Sequence, residues 1–484
     1  MAGYRHGVYV TEKGTEFYQI TRQATGITLV VGTSPIREAA SPAGANEPVL
    51  CHTYNDAATA LGYSTDTAKY TLCEAMEVLF GLYQVGPIVM VNVFDPSVHK
   101  KTVERELHLT TAEHTVEIEG DINVDDLKIE VKTTDGDDDV WTQIIPDGFY
   151  WQMERTSVAL PSTYSMGAQI YVTYTTPDVT KVSASDVAGA VNGLTGKCTG
   201  LELISEVYSR FGYTVGQIIA PGFSHVAEVG LKMAAKAELI NGHFSSMAIV
   251  DLPTASIGGY AQAGNVKSTL GYASPHMVVC YPAIKYGDKV QHLRPHIAGI
   301  WAKLAAANDD IPYQGVSNQT IYMSGMCNLD GSNNYFGLEA ARELNGQGIV
   351  TVTNFNGWKA WGDETSAYPS NTDPKDHWIS VRSMFNFIKS QLTLNFWSKI
   401  GVPIKRCVVD NVINSVNVYL SGLVRRGALL GGRLELNEDE NDEQSVMDGK
   451  LTFHCYITPP SPLKEMVFVL EYDASYLSGV LSGE

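Results

Sequence analysis

Cysteine is scarce in this sequence, and its arrangement excludes two common classes of site. Seven cysteines, an odd number, are spread over 484 residues, and no Cys-x-x-Cys segment occurs. Neither a disulfide framework nor a zinc site built from paired cysteines is therefore expected. Cys73, Cys280, Cys407 and Cys455 lie within apolar runs, which predicts buried, reduced thiols and a reducing compartment.

Long hydrophobic runs are also lacking. The longest uncharged run, from Val78 to Phe94, has 17 residues and is broken by Gly86-Pro87. This pattern is typical of a helix end, a turn and a buried strand, not of a membrane span. Residues 1 to 25 lack the basic and then apolar pattern of a signal peptide. We therefore expect neither direct membrane insertion nor secretion by that route.

Positive charge is in deficit. The chain has 34 lysines and arginines against 53 aspartates and glutamates, a formal net charge of −19. An acidic surface disfavours contact with nucleic acid and with anionic membranes. We therefore expect no nucleic-acid partner, and an assembly of many copies would have to overcome their mutual repulsion.

Motifs of catalytic, phosphate-binding and metal-binding sites are missing too. The sequence contains no Gly-x-x-x-x-Gly-Lys-Ser/Thr, Gly-x-Gly-x-x-Gly, Gly-x-Ser-x-Gly or His-Glu-x-x-His segment. His292 and His296 have a helical ligand spacing, but Pro295 between them places His292 before the predicted helix. The acidic run 135–139 lacks the spacing of a calcium loop, with no glycine at the sixth position and no glutamate at the twelfth. We therefore predict no catalytic residue, no metal site and no cofactor.

What the sequence does contain is an α/β rhythm interrupted by a β-rich stretch. Its length predicts about three domains, at about 150 residues each. Apolar runs alternate with helical segments before residue 97 and again after residue 185, which predicts a mostly parallel sheet covered by helices on both faces. Between these positions β-formers cluster without a helical period, which predicts an inserted β-sandwich-like domain with an acidic surface.

The C-terminal part combines strand-like segments with a proline spacer. Residues 451–457 and 465–472 are rich in β-formers, and three prolines lie between them. Five residues of such a stiff spacer reach about 15 Å, at about 3.1 Å each. Residues 6–12 form another strand-like run. Both ends are candidates for strands added to an open sheet edge, on this subunit or another; an ordinary sheet within one chain is the alternative.

Two amphipathic helices precede this stretch. Apolar residues recur at helical spacing from Val381 to Leu392 and from Val409 to Leu423, which predicts two core helices. Their predicted outer faces carry basic residues in this acidic chain, namely Arg382, Lys389, Arg425 and Arg426.

Several short segments occur in an order shared with one protein family. In chain order they are His6-Gly7-Val8-Tyr9-Val10-Thr11-Glu12, Val30-Val31-Gly32-Thr33-Ser34-Pro35, Ile297-Ala298-Gly299-Ile300-Trp301-Ala302, Leu344-Asn345, Gly348-Ile349-Val350, Asn354-Phe355-Asn356-Gly357, Trp361-Gly362-Asp363-Glu364-Thr365, Gly427-Ala428-Leu429-Leu430-Gly431-Gly432 and Met447-Asp448-Gly449-Lys450-Leu451 with the prolines after it. Each segment alone is weak, and their common order along most of the chain carries the resemblance. The sequence resembles the contractile-tail sheath proteins of tailed bacteriophages and related contractile injection particles.

Two loops depart from the family pattern. Asp363-Glu364 stands where the family usually has Asn-Arg. Asn308-Asp309-Asp310 stands where a longer turn of acidic and basic residues is usual. The contacts made at these loops therefore do not follow from the resemblance.

The resemblance implies a fold and a set of domains. It implies a central subtilisin-like α/β domain, an inserted β-sandwich domain, and an α+β C-terminal domain carrying strand-exchanging N- and C-terminal arms. The expected boundaries are 1–25 for the N-terminal arm, 26–96 for the first part of the α/β core, 97–185 for the inserted domain, 186–355 for the subtilisin-like domain, 356–462 for the C-terminal sheath domain facing the tube, and 463–484 for the C-terminal arm.

The resemblance also implies a function, which is that of a structural subunit and not of an enzyme. Such a subunit polymerises around a tail tube as helically stacked hexameric rings linked by β-strand exchange, and contracts to drive the tube through the host envelope. The expected partners are further copies of the chain, the tail tube protein, and baseplate and tail terminator proteins. The expected location is the virion tail, after assembly in the bacterial host cytoplasm.

Two other functions remain as alternatives. One is a non-polymerising tail or baseplate component with the same core. The other is a serine hydrolase of subtilisin-like fold, which the absence of Asp-Ser/Thr-Gly, His-Gly-Thr and Gly-Thr-Ser-Met segments disfavours.

The resemblance and the strand pattern together nominate site residues. The inter-subunit arm strands are expected at Val8, Tyr9, Val10, Thr11, Val467, Phe468, Val469 and Leu470. The acceptor sheet is expected at Leu451, Phe453, Cys455 and Ile457. Possible contacts with an acidic tube surface are Arg425, Arg426, Lys405 and Arg406.

Overall fold

The computed structural model describes residues 25–119, 122–135, 138–152 and 155–477. Its strands are β1 (Thr25–Gly32), β2 (Pro48–Cys51), β3 (Ile88–Asn92), β4 (Lys100–Leu109), β5 (Thr115–Glu119), β6 (Asn123–Asp135), β7 (Asp138–Ile144), β8 (Gly148–Gln152), β9 (Arg155–Ala159), β10 (Gln169–Pro177), β11 (Thr214–Ile219), β12 (Met247–Asp251), β13 (Met277–Cys280), β14 (Ala283–Tyr286), β15 (Lys289–Gln291), β16 (Gly325–Cys327), β17 (Ile349–Asn354), β18 (Trp358–Trp361), β19 (Gly431–Leu436) and β20 (Phe453–Thr458). Its helices are α1 (Tyr54–Leu61), α2 (Thr71–Ala75), α3 (Ala184–Ala188), α4 (Ile204–Phe211), α5 (Ala227–Glu238), α6 (Ala263–Thr269), α7 (Leu293–Ala307), α8 (Leu338–Gly346), α9 (Pro374–His377), α10 (Ile379–Phe396), α11 (Arg406–Arg425) and α12 (Glu443–Met447).

An eight-stranded sheet forms the centre of the fold. Its strand order is β18-β17-β13-β12-β11-β1-β3-β2. The neighbours from β17 to β3 run parallel, and the edge strands β18 and β2 run antiparallel to the strands beside them. The mostly parallel sheet predicted from the alternation of apolar runs and helices is therefore observed.

Apolar residues fill both faces of this sheet because successive side chains of a strand point to opposite faces. In β3, Val89 and Val91 pack into one apolar cluster, whereas Ile88 and Met90 pack into the other. Helix α5 covers the first face and α7 the second. A strand buried on both faces is apolar at most positions, which explains the near-continuous apolar runs in the sequence.

The β-rich stretch forms two antiparallel sheets between β3 and β11. The four-stranded sheet has the order β4-β10-β6-β7, and the three-stranded sheet has the order β5-β9-β8. Ile129, Ile170 and Val172 of the first sheet share one apolar cluster with Val116 and Val158 of the second. The two sheets therefore enclose a small core of their own.

The C-terminal region forms a further core around the two amphipathic helices. Met384 and Ile388 of α10 pack in one cluster with Val416 and Leu420 of α11. At its start, α10 also contributes Ile379 to the core of the central sheet. This long helix therefore joins the C-terminal region to the α/β core.

Three predictions about individual side chains are wrong. Arg382 and Lys389 do not face solvent: both are half-buried, and they contact Asp376 and Ser245, respectively. Cys407, predicted to be buried, is exposed because it lies in the first turn of α11, which lies beyond the apolar cluster.

Candidate assembly interface

Helix α11 packs against one face of the C-terminal sheet and supports it. Val416, Leu420 and Leu423 follow one another at helical spacing and are buried in the same cluster as Leu434 of β19. Strand β19 packs along this face, so the stripe that marks α11 in the sequence fixes the position of the sheet.

Strands β19 and β20 form an antiparallel two-stranded sheet. The pairs run from Gly431 opposite Thr458 to Leu436 opposite Phe453. On the exposed face, the Arg433 guanidinium lies 4.3 Å from the centre of the Tyr456 ring. One face of the sheet is therefore apolar and covered by α11, and the other is polar and open to solvent.

The outer edge of β19 is covered by a side chain of α11. The Asn417 amide accepts a hydrogen bond from the Leu434 N–H at 2.7 Å and donates one to the Leu434 carbonyl at 3.2 Å. Both backbone groups of Leu434 therefore point away from β20. Covering an edge in this way prevents another strand from pairing there.

The outer edge of β20 is open among the described residues. In an antiparallel ladder, opposed residues alternate between pairs that exchange hydrogen bonds and pairs that do not. Leu434 and Cys455 are opposed and form a pair of the second kind, because the Leu434 backbone bonds to Asn417. The Cys455 backbone therefore faces outward, and by the same alternation so do the backbones of Phe453 and Ile457.

These residues are three of the four nominated as the acceptor sheet. The fourth, Leu451, is half-buried just before β20 begins. The side chains of Phe453, Cys455 and Ile457 pack against the C-terminal cluster. The prediction of a buried Cys455 is therefore only partly met, since its side chain is half-buried.

An apolar groove of about 730 Å³ follows the open edge. Its walls include Leu451 and Phe453 on the sheet side, Val412 of α11, and Ile400 and Val402 of the loop between α10 and α11. Ile400 is 80 % exposed. An apolar surface that stays open to water is typical of a site for another protein segment.

The C-terminal segment leaves β20 without adding a strand to any sheet of the described chain. Residues 459–473 have no regular secondary structure, and residues 463–477 are exposed. Val467 is 71 %, Phe468 79 %, Val469 76 % and Leu470 96 % exposed. Their β-formers predict a strand, but a strand needs a partner, and the described part of this single chain supplies none.

The nominated N-terminal residues and basic residues complete the account of the predictions. Val8, Tyr9, Val10 and Thr11 lie outside the described residues. Lys405 and Arg406 lie at the start of α11, whereas Arg425 and Arg426 lie at its end. Twenty residues of helix separate these pairs by about 30 Å, so the four do not form one patch. All four are exposed, and Arg406 and Arg426 contact Asp410 and Asp309.

Helix α11 is long and apolar enough to cross a membrane by length and composition alone. Core helices of soluble proteins pass the same test. The buried stripe of α11 lies against α10 and β19, which accounts for its apolar residues without a membrane.

The sequence reasoning missed a buried polar cluster at one end of the central sheet. Glu74 of α2 accepts hydrogen bonds from the His292 backbone N–H at 2.6 Å and contacts the His292 Nδ1 at 2.8 Å. Arg294 pairs with Asp251 at 3.2 Å and donates to the Ser224 hydroxyl. The residues of each pair are far apart in sequence, so no local sequence pattern predicts the cluster.

Charge neutralisation explains how this cluster is buried. Burial raises the pKa of Glu74, but the charge of His292 and its hydrogen bonds outweigh burial and bring that pKa below its usual value. Burial lowers the pKa of His292, and Glu74 reverses this and brings it above its usual value. The Ser224 hydroxyl contacts Arg294 and the Asp251 N–H, whereas a hydrolytic serine would contact a histidine base.

Among the described residues, no group of three or more histidine, cysteine, aspartate and glutamate side chains could hold a metal ion. The chemistry that the described surface does offer is backbone hydrogen bonding at one sheet edge beside an apolar groove.

Comparisons with known proteins agree with this picture. No protein-family model matches the chain. The tail sheath protein of Burkholderia phage BcepMu is 25 % identical over 504 aligned residues, which cover 100 % of this chain and 99 % of that protein. The major tail sheath protein of Serratia phage KSP20 is 23 % identical over 137 residues, 28 % of this chain and 33 % of that protein.

Solved structures of contractile particles share the fold. The helical sheath of the anti-feeding prophage in its contracted state has a TM-score of 0.58 at 13 % identity, covering 98 % of this chain and 100 % of that one. The sheath complex of an extracellular contractile injection system, PVC, in its contracted state has a TM-score of 0.56 at 12 % identity, covering 98 % and 99 %. The predicted resemblance is therefore confirmed: this chain is a homologue of phage tail sheath proteins along its whole length, with the fold of a contractile-sheath subunit.

Proposed function

We propose that this sheath subunit polymerises by lending its C-terminal arm to a neighbour. Residues 465–472 of one subunit add as a strand to the open edge of β20 in another, with Val467, Phe468, Val469 and Leu470 as the arm strand. The observation that carries the proposal is the coexistence of this exposed, apolar, strand-forming segment with an open sheet edge beside an apolar groove.

The energetics favour such an exchange. Each apolar side chain that moves from water into the groove contributes roughly 1.5–3 kcal/mol. Backbone hydrogen bonds to Phe453, Cys455 and Ile457 add register and strength that depend little on side-chain identity. The gain offsets the repulsion between copies that each carry a net charge of −19.

The domain division follows the same scheme. We assign residues 97–185 to an inserted β-sandwich domain, 26–96 and 186–355 to a subtilisin-like α/β core, and 356–462 to the C-terminal domain. The two-sheet core of the insert and the mostly parallel central sheet support this division. The N-terminal arm, with Val8, Tyr9, Val10 and Thr11, is proposed to add a second strand to the same exchanged sheet.

The assembly is a helical stack of hexameric rings around a tail tube, ending at a baseplate and a terminator protein in the virion tail. The solved relatives are described as a helical sheath in a contracted state and as part of a baseplate, which supports an oligomeric sheath that meets a baseplate. Assembly takes place in the host cytoplasm. Contraction is a switch between two packings of one polymer, with the exchanged strands keeping neighbours joined.

The tube contact is proposed at the C-terminal end of α11. Arg425 and Arg426 are exposed there and meet an acidic tube surface, with Lys405 and Arg406 as a separate contact at the other end of the helix. Reversing the charge of Arg425 and Arg426 should weaken the binding of the sheath to the tube while rods without a tube still form; unchanged binding would refute the contact.

The two rival functions predict different behaviour. The names of the relatives favour a structural role over a serine hydrolase, and a serine-reactive fluorophosphonate probe should leave the protein unlabelled. A non-polymerising component would not form rods under any condition, whereas a sheath subunit should form them when purified.

The experiment that tests strand donation is a truncation after Lys464. The shortened chain should keep its thermal unfolding midpoint, because the described residues that it loses, 465–477, are exposed. It should form no rods in negative-stain micrographs. Rods of normal length from the truncated chain would overturn the proposal. Phe149→Asp, which alters a partly exposed aromatic residue on the inserted sheets, is the matched control and should form rods.

A further inference from the structure

The arm is tied to the body of the subunit at one residue, Lys464. Its ammonium lies 2.6 Å from a carboxylate oxygen of Glu364, whose side chain is 4 % exposed. The same ammonium lies 5.2 Å from the centre of the Tyr368 ring and 5.7 Å from that of Trp378. A buried carboxylate with two aromatic faces is a specific receptor for a cation.

The receptor belongs to the rigid body. Glu364 forms an isolated bridge with Trp378, and the next residue, Thr365, donates its N–H to the His377 carbonyl at 2.7 Å. On the other side, the Tyr368 carbonyl accepts a hydrogen bond from the buried Lys267. The loop that carries Glu364 is therefore held at both ends, and it has little freedom to follow the arm.

The chain before Lys464 lies along a surface groove. Residues 460–466 form one wall of a cavity of about 1000 Å³, and the opposite wall includes Asn318, Arg342, Asn345 and Trp361. Pro459, at the start of this stretch, is buried. From Glu465 to Leu477 the side chains are exposed. The chain is therefore held to the body at Lys464, and the proline run lies before that contact.

We propose that Lys464 is the anchor from which the arm is delivered to the neighbouring subunit. The anchor sets the reach of the arm: eight residues from 465 to 472 extend about 26 Å, at about 3.3 Å per residue. In a sheath whose subunits rotate while exchanged strands keep them connected, the flexible part of the arm then begins after Lys464 and not within the three prolines. This inference rests on the proposed strand donation and deepens it.

Glu364 and Lys464 act as a pair. The Lys464 ammonium donates a hydrogen bond to the Glu364 carboxylate at 2.6 Å, and the Glu364 side chain is buried. Replacing the lysine alone would leave that charge buried without its cation. A neutral residue at both positions should remove the anchor without leaving a buried charge.

The test compares Lys464→Met with the double variant Lys464→Met/Glu364→Gln in the full chain. The single variant leaves the Glu364 charge buried without its cation, so a lowered thermal midpoint is expected. The double variant removes that charge and should regain the midpoint of the wild type. Both variants should yield about tenfold fewer rods by sedimentation, the ratio that one charge-assisted hydrogen bond commonly controls.

Two controls make the outcome decisive. Lys464→Arg keeps the cation and should form rods like the wild type, as should Lys197→Met in an exposed loop. Normal rods from the double variant, with none from the chain truncated after Lys464, would overturn the anchor and leave strand donation intact. Normal rods from the truncated chain would overturn both.

Discussion

The α/β core and the C-terminal region differ in which side chains they bury and which they leave exposed to water. The core buries even its charged groups: Arg294 is 1 % exposed, and its guanidinium pairs with Asp251. The C-terminal region leaves large apolar groups in water, with Leu470 at 96 % exposure. The first region thus buries its charged groups within one chain, whereas the second exposes the apolar surface that we propose another copy covers.

The two regions also differ in how they treat their sheet edges. The outer edge of β18 is covered by the chain around residues 318–321: Asn318 donates its N–H to the Ala360 carbonyl at 2.7 Å, and the Gln319 carbonyl accepts from the Ala360 N–H at 2.9 Å. The open edge of β20 has no such cover among the described residues. Since open edges invite pairing, this difference supports the proposal that subunits join at β20.

The largest effect on stability is expected in the core. Replacing Arg294 by leucine leaves Asp251 as an unpaired charge in a buried site and should lower the free energy of unfolding by about 3–5 kcal/mol. Arg433→Leu, which removes an exposed guanidinium paired with Glu435, should cost less than about 1 kcal/mol. Urea denaturation measures the free energy of unfolding of both variants. Equal losses would contradict the difference that we describe between the two regions.

An intermediate effect is expected at Asp363, which lies where the two regions meet. The pKa of Asp363 is raised to about 6, chiefly by burial and also by the neighbouring Glu364, while the Ser317 N–H and Lys464 act to lower it. A carboxyl group with a raised pKa stabilises the fold fully below its unfolded pKa of 3.8, and this contribution is lost as the pH rises through about 6.

Asp363→Asn should therefore be more stable than the wild type at pH 8, by about 1 kcal/mol after allowance for partial exposure. The difference should vanish below about pH 4, near the unfolded pKa of aspartate. Thermal unfolding of both proteins from pH 4 to pH 8 measures it. A difference that stays constant across this range would show that the charge of Asp363 is not the cause.

A comparable effect on stability is expected at Asn417, which covers one sheet edge of the C-terminal region. Alanine at this position leaves the Leu434 backbone without its two hydrogen bonds and should cost about 1 kcal/mol. It should also open the outer edge of β19, so that the purified variant forms more irregular aggregate beside its rods. Light scattering and micrographs compare it with Asn414→Ala, an exposed residue of the same helix. Identical behaviour of the two variants would show that the edge needs no cover.

The elements built from continuous patterns could be predicted from the sequence. Met247–Asp251 and Ile349–Asn354 are strands, and their mostly apolar and β-branched residues are typical of strands buried on both faces. Apolar residues at helical spacing predict α10 and α11 equally clearly. His292 lies before the start of α7, as the proline at position 295 predicted.

Contacts between distant residues could not be predicted in this way. His292 meets Glu74 across 218 positions, and Lys464 meets Glu364 across 100. Nothing in the local sequence distinguishes these charges from solvated ones. Likewise, Asn417 is one polar residue on an amphipathic helix, and only the fold shows that its amide covers the outer edge of β19. The edge of β20 that we propose as the acceptor could not be told from the other edge by sequence alone.

The most direct test of the account is disulfide cross-linking in assembled rods. A single cysteine is placed in turn at positions 467, 468, 469 and 470 in a Cys407→Ser background, and its partner is the native Cys455. Adjacent strands bring opposed residues to the Cα separation of about 4.4–6.8 Å that a disulfide needs. The account predicts a ladder of covalently linked subunits from alternate positions of the arm; disulfides that join only residues of the same chain would contradict it.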